Sequence, residues 1–220
     1  MTDTVSHIDG LHATTPQELS FAPGVSVRAF VLERPGGNVL VYNTAALDQQ
    51  ADLLTELGLE RQYLSHWHEA MFGSERHARM AGATIHIAAD DAAQAEQRGW
   101  TIDDLIVARH TVGHDLEIIP IPGHTPGATA LLWDADGHRL LFTGDTIYLK
   151  DGEWVAGLLA SSDRDQFLAS LTLLRDLDFD ILVPWAASDS GPYSVPVAPG
   201  EGRRRIQALL DDLRARPVRQ

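Results

Sequence analysis

The chain has no cysteine, which excludes disulfides and thiolate metal ligands, so any metal must be held by histidine and carboxylate. That absence fits a cytoplasmic protein. No apolar run approaches membrane-spanning length, and the opening Met1-Thr2-Asp3-Thr4-Val5-Ser6 has neither the basic nor the apolar region of a signal peptide. Positive charge is also scarce: 17 Lys and Arg against 31 Asp and Glu leave a formal net charge of −14. Such an excess disfavours nucleic acid as a partner and leaves small-molecule substrates as the expected class. The one basic cluster, Arg203-Arg204-Arg205, opens a C-terminal helix over 200–216 and reads as its solvated face, opposite Ile206, Leu209, Leu210 and Leu213. No linker, low-complexity tract or repeat divides the 220 residues, 44% of them hydrophobic. The expectation is one soluble domain over 1–220, with a polar lead-in over 1–24. No motif bears on oligomeric state.

What is present reads as alternating strands and helices. Apolar β-rich runs over 25–32 and 38–42 flank Arg34-Pro35-Gly36-Gly37 and predict a hairpin. Residues 46–58 carry Leu47, Ala51, Leu54 and Leu57 at helical spacing, with Gly58 at the stop. A strand over 61–64 precedes a helix over 74–81 with Ser74 as N-cap. A strand over 84–88, a helix over 90–98 and strands around 105–109 and 116–121 follow. Residues 128–133 and 139–142 form a second hairpin across Asp134-Ala135-Asp136-Gly137. A loop is expected from 145 to about 162, then a helix capped by Asp163 and a buried strand over 181–184 before a Pro/Gly-rich loop. Two face-to-face sheets with helices outside would use all of these elements, an α+β fold of αββα type.

The chemistry gathers just beyond the strand ends. In Ser65-His66-Trp67-His68-Glu69-Ala70-Met71-Phe72-Gly73, two histidines two residues apart share a face if the strand continues. Such a pair can hold one metal through imidazole nitrogens, or it can be two surface histidines flanking a core Trp67. His124 sits in Pro122-Gly123-His124-Thr125-Pro126-Gly127, whose prolines and glycines restrict the backbone around one imidazole. Asp145 follows Gly144 in Phe142-Thr143-Gly144-Asp145-Thr146, a glycine that permits close backbone approach. Each motif alone is weak; in this order and spacing they are strong. His77 and His86 fit a surface helix and a core strand, and His7, His12, His110, His114 and His138 fall in the lead-in or in turns, where exposure is the economical reading.

The order His-x-His, Pro-Gly-His-Thr-Pro-Gly, Thr-Gly-Asp-Thr resembles the metallo-β-lactamase superfamily, especially its glyoxalase II-like hydrolases. The resemblance implies a four-layer αββα sandwich with two metals at one edge. Carried across, it gives the first metal His66, His68 and His124, with Asp145 bridging or adjacent. The family pattern His-x-His-x-Asp-His is broken at Ala70 and Met71, and its final histidine has Ala186 in its place, within Pro184-Trp185-Ala186-Ala187. An alanine or a thioether does not replace carboxylate or imidazole on a hard or borderline dication. The second site therefore looks deleted as a unit.

The surviving set implies one divalent metal, zinc favoured and iron possible. The reading is a mononuclear metal-dependent hydrolase of a small ester, thioester or lactone. The carboxylate missing at position 70 leaves Asp145 as the first candidate base and Glu69 as the second, with Tyr148 a donor to an oxyanion or simply packed. Two alternatives stand: a non-catalytic ligand-binding relative, and an Fe(II) dioxygenase-like enzyme using His66, His124 and Asp145.

Overall fold

A computed structural model of the protein describes residues 8–216, so His7 lies outside the described residues. The strands assemble into three sheets. The first runs Leu11–Ala13, Phe30–Leu32, Val39–Val41, Arg61–Tyr63, Thr84–Ala88, Asp104–Ile106 in spatial order. The second runs Val195–Pro196, Ile181–Val183, His138–Phe142, Thr129–Ala135, Leu116–Pro120, His110–Val112.

Period-two alternation decides what each face of the second sheet meets. Ile118, Leu131, Leu140 and Phe142 point into a core shared with the first sheet. Their neighbours Ile119, Leu132 and Leu141 point the other way, onto Phe167, Leu171 and Leu174 of the helix Arg164–Arg175 and Ile206, Leu210 and Leu213 of the helix Glu201–Ala215. The helices Ala51–Leu57, Arg76–Met80 and Ala89–Glu96 cover the first sheet through Leu54, Ala78, Ala92 and Ala95. The four layers are those of the expected αββα sandwich.

The third sheet was not foreseen. It runs Glu153–Ala156, Ile147–Lys150, Ala186–Ser188, Val25–Val27, Gln17–Glu18. It forms because three chain segments leave the main sheets and re-pair within a few residues: at Arg28-Ala29, at residues 143–146 and at Pro184-Trp185. The apolar run over 25–32 is thus two strands in different sheets. The segment expected as loop to 162 contains a hairpin turning at Asp151-Gly152, with Asp151 at φ 52°. The Pro/Gly-rich loop begins only after the strand Ala186–Ser188, where Ala186 pairs with Val27. The lead-in supplies two short strands. The helix expected from Ser74 starts at Arg76, because Ser74 Oγ reaches only the Arg76 N–H, at 3.4 Å, and its N-cap residue is Glu75. Among the described residues no helix is long and apolar enough to cross a membrane.

Candidate metal centre

Three turns at one edge of the sandwich bring four donors together. The strand Arg61–Tyr63 ends at the buried Leu64, and the chain then tightens into a 3-10 turn over Trp67–Met71. His66 is extended, at φ −165° and ψ 163°, while His68 lies inside the turn. Their ring centroids stand 5.0 Å apart because of this turn, not because a strand continues through them. Asn43 holds the turn from beneath, donating to the carbonyls of Glu69 (3.1 Å) and Phe72. His124 arrives from the turn after Leu116–Pro120. Asp145 arrives from the corner after His138–Phe142, where a side chain on Gly144 (φ 55°) would stand 2.3 Å from Ser65 Oγ.

One ligand atom from each of His66, His68, His124 and Asp145 lies within 4.8 Å of the others. His68 Nδ1 is 3.1 Å from His124 Nε2, His66 Nε2 is 3.6 Å from Asp145 Oδ2, and His124 Nε2 is 3.9 Å from the same oxygen. His124 Nδ1 donates to the Gly157 carbonyl at 2.6 Å. A carbonyl only accepts, so His124 carries its proton on Nδ1 and turns a bare Nε2 into the cluster. His66 Nδ1 faces Ser65 Oγ at 2.9 Å and Glu69 at 3.3 Å, which leaves its Nε2 inward.

This donor set fits a divalent ion. Nitrogens bound tetrahedrally at about 2.0–2.1 Å stand roughly 3.3 Å apart, close to the His68–His124 separation. Two buried atoms of these four residues, His66 Nε2 and Asp145 Oδ1, have no hydrogen-bond partner, and buried polar atoms without partners are uncommon. The field is also suited to a cation. Burial opposes charge on His66, but Asp145 and Glu69 outweigh it and push the imidazole up to about 10. Burial, then the charges of His66 and His124, push His68 down to about 3. Burial and the His66 charge lower His124 as well. Burial would raise Asp145, yet its contacts with His66 hold it below the ordinary carboxylate range.

Residues around the cluster hold these side chains in place. Asp91, fully buried, accepts from Trp67 N (3.0 Å), Thr125 Oγ1 (2.6 Å) and Gly127 N (2.8 Å), tying the His66 turn to the His124 turn. Nothing in Ala89-Asp90-Asp91-Ala92 marks it; two acids opening a helix read as solvated. Trp185 stands edge-on to His66 at 5.3 Å and donates Nε1 to the Asn43 carbonyl at 2.9 Å. Glu69 points away from the cluster, buried behind His66 and bonded to Ser65, so it is not an open base. Ala70 and Ala186 are buried and Met71 is 55% exposed. Tyr148 lies on the strand Ile147–Lys150, not in a loop; burial first and the Asp145 charge second push its phenol up. His110, His114 and His138 are exposed, and His77 meets Asp48 at 2.8 Å.

The fold has counterparts among solved structures. Similar folds occur in a metallo-beta-lactamase from Pontibacter korlensis, at 16% identity and TM-score 0.71, covering 96% of this chain and 98% of that one. FIM-1 from Pseudomonas aeruginosa, in its mono-zinc form, gives 18% and 0.71, covering 96% and 95%. ST1585, a metallo-beta-lactamase superfamily protein from Sulfolobus tokodaii, gives 15% and 0.65, covering 96% and 88%. A comparison with curated proteins found no match. The family model of the metallo-beta-lactamase superfamily matches residues 63–186, more than half of the chain and a span that holds all four clustered residues; the chain belongs to that superfamily.

Proposed function

We propose that the chain is a mononuclear metal-dependent hydrolase of a small ester, thioester or lactone. The observation that carries this reading is the four-residue cluster with its two unsatisfied buried atoms, beside positions 70, 71 and 186 that offer no imidazole or carboxylate donor. His66 and His124 through Nε2, and His68 through Nδ1, would hold one divalent ion with Asp145. An imidazole-rich set favours zinc, with iron second. Such an ion, when bound, supplies a Lewis acid and an acidified water.

The remaining work falls to the chain. Asp145 turns Oδ2 toward the imidazoles, and its carboxyl is held below the ordinary range by His66 despite burial, so this residue would both help to hold the ion and supply a base beside it. Tyr148, whose phenol burial pushes up, would be a donor for negative charge developing on a substrate oxygen. The Trp185 ring, 3% exposed, walls His66 off from water on one side. The net charge of −14 argues against a polyanionic substrate.

Elemental analysis of the purified protein, paired with an ester and thioester turnover panel before and after chelation, tests the reading. About one zinc per chain with turnover lost on chelation supports it. Iron with oxygen uptake would move the assignment to a dioxygenase, and a metal-free, inert protein would leave a ligand-binding role.

A further inference from the structure

We propose that Arg98 selects the substrate of this centre: its guanidinium takes a carboxylate at the far end of the acyl group. The substrate class then narrows to esters or thioesters of a dicarboxylic acid with one end free. The inference rests on the metal-hydrolase reading and deepens it.

The helix Ala89–Glu96 and the residues just after it are fastened to the turn that carries His66 and His68. Asp91 accepts from Trp67 N at 3.0 Å, and Trp100 donates Nε1 to the Ala70 carbonyl at 3.2 Å. Arg98 lies between these two anchors in sequence. Its guanidinium carbon stands 4.1 Å from the centroid of the Trp67 ring, and that centroid stands 4.0 Å from the centroid of His68. Two ring contacts thus lead from the guanidinium to a clustered histidine. The charge carries the same distance: after burial, His66 and His124, Arg98 adds to what lowers His68.

A guanidinium presents five N–H donors in a planar fork that matches a carboxylate. With 31 acids to 17 bases such partners are plentiful in this chain. Arg79 holds Glu75 and Asp103, Arg139 holds Asp134 and Asp178, and Arg34 holds Asp115. Among the described residues Arg98 holds no carboxylate. Its Nη1 donates to the Gln94 carbonyl at 2.6 Å and reaches Gln94 Oε1 at 3.4 Å, while Nε and Nη2 have no acceptor among those residues. Trp67 and Gln94 therefore fix the group without neutralising it, and the side chain is exposed. A cation held in this way beside the cluster would draw a monoanion through a field that is otherwise negative. A neutral acyl group would gain nothing from it, whereas a carboxylate would gain a charge-assisted hydrogen bond.

The test uses the full chain and two thioesters of N-acetylcysteamine, adipoyl and hexanoyl, which differ by a terminal carboxylate in place of a methyl. The wild type should favour the adipoyl thioester in kcat/KM. Arg98→Gln should lower the adipoyl-to-hexanoyl ratio about 10–100-fold, mainly through KM, and Arg98→Lys should recover part of it. Equal handling of the pair by the wild type, or a ratio that Arg98→Gln leaves within about twofold, overturns the proposal and leaves the hydrolase reading standing. A second measurement needs no turnover. In ¹⁵N-labelled protein the Arg98 Nε–H signal, identified by its loss in Arg98→Gln, should move on addition of adipic acid monoamide and stay in place with hexanamide. A signal that ignores the monoamide overturns the proposal, whatever the turnover. A chain whose signal moves but which cleaves no ester or thioester keeps the carboxylate site and overturns the hydrolase reading instead.

Discussion

Of the four clustered residues, His124 is held firmly: its Nδ1 is spent on Gly157, its backbone carbonyl accepts from Ser162 Oγ at 3.0 Å, and its side chain is 2% exposed. His124→Ala is therefore expected to abolish metal uptake in an equilibrium dialysis experiment, whereas His114→Ala, on an exposed turn, should leave it unchanged. The claim that a second site has been lost can be tested by putting it back. Ala70→Asp, Met71→His and Ala186→His together should raise metal content from about one to about two ions per chain, with Asp145 shared between ions ~3.5–4 Å apart. Ala186 is buried in a strand and Trp185 packs beside His66, so overpacking of ~1–3 kcal/mol is expected, and the triple variant should be made in a Trp185→Gly background as well. A folded triple variant that still takes one ion would show that Ala186 does not stand where the last imidazole belongs. The four clustered residues were legible in the sequence because a metal ligand set is a pattern of residue types tied to turn motifs. Asp91 was not. A buried carboxylate that serves as a hydrogen-bond acceptor has no signature apart from the groups that fold onto it, and Trp67, Thr125 and Gly127 are distant in sequence. Glu69, the second candidate base, is set behind His66 because the 3-10 turn folds it back onto Ser65, which a strand reading does not show.

Asp91 also shows what the helix Ala89–Glu96 contributes. Its first turn presses one carboxylate between the two histidine turns, so close that a side chain on Gly127 would meet the Asp91 carboxyl carbon at 2.6 Å. Asp91→Ala would orphan two backbone N–H groups and a hydroxyl. Each such loss costs about 1–3 kcal/mol when the group stays buried, so a stability loss of roughly 3 kcal/mol by urea denaturation and weaker zinc binding should appear together. If stability fell with affinity intact, the two turns would be positioned by something else. The helix Arg164–Arg175 is the counterpart below His124. Asp163 accepts from Asp165 N and Gln166 N, both at 3.0 Å, as the sequence predicts for an N-cap. Hairpins and helices with strong local signals were readable in this way; the hairpin at Asp151-Gly152 carries the same Asp-Gly sign as the one at Asp136-Gly137 and was passed over because its strands are short. The third sheet was beyond reach, since a two-residue break at Arg28-Ala29 or Pro184-Trp185 does not announce that a strand will change partners.

The two halves of the sandwich are also clamped at the end away from the cluster. Arg34, whose side chain is fully buried, donates Nε (2.9 Å) and Nη2 (2.7 Å) to the two Asp115 oxygens, and Nη2 donates to the Val112 carbonyl at 2.7 Å. This joins the turn before Val39–Val41 in one sheet to the turn before Leu116–Pro120 in the other. Burial would raise the Asp115 carboxyl, but the guanidinium outweighs it and holds it below the usual carboxylate range. A depressed carboxyl contributes stability that is present above its unfolded value and lost as pH falls through the folded one. Asp115→Asn should thus cost about 1–2 kcal/mol near pH 7, less than a fully buried pair because Asp115 is a quarter exposed. The gap from wild type, followed by denaturant titration, should close as the pH drops below about 4. A gap that persisted at pH 3 would mean that shape rather than charge holds the clamp. At the cluster end, the strand Ile181–Val183 has a consequence in time. Its Val183 carbonyl accepts from Tyr42 Oη at 2.9 Å, the same hydroxyl accepts from Gly144 N at 2.9 Å, and Trp185 N donates to the Gly144 carbonyl at 3.3 Å. The corner that carries Asp145 is therefore fixed by residues synthesised some forty positions after it. A ribosome that has released His66, His68, His124 and Asp145 has released every clustered residue and not yet the means to assemble them. Zinc offered to a chain stopped before residue 181 is expected to be held no better than by an unfolded peptide, so that any ion the cluster takes would arrive late in the life of each molecule.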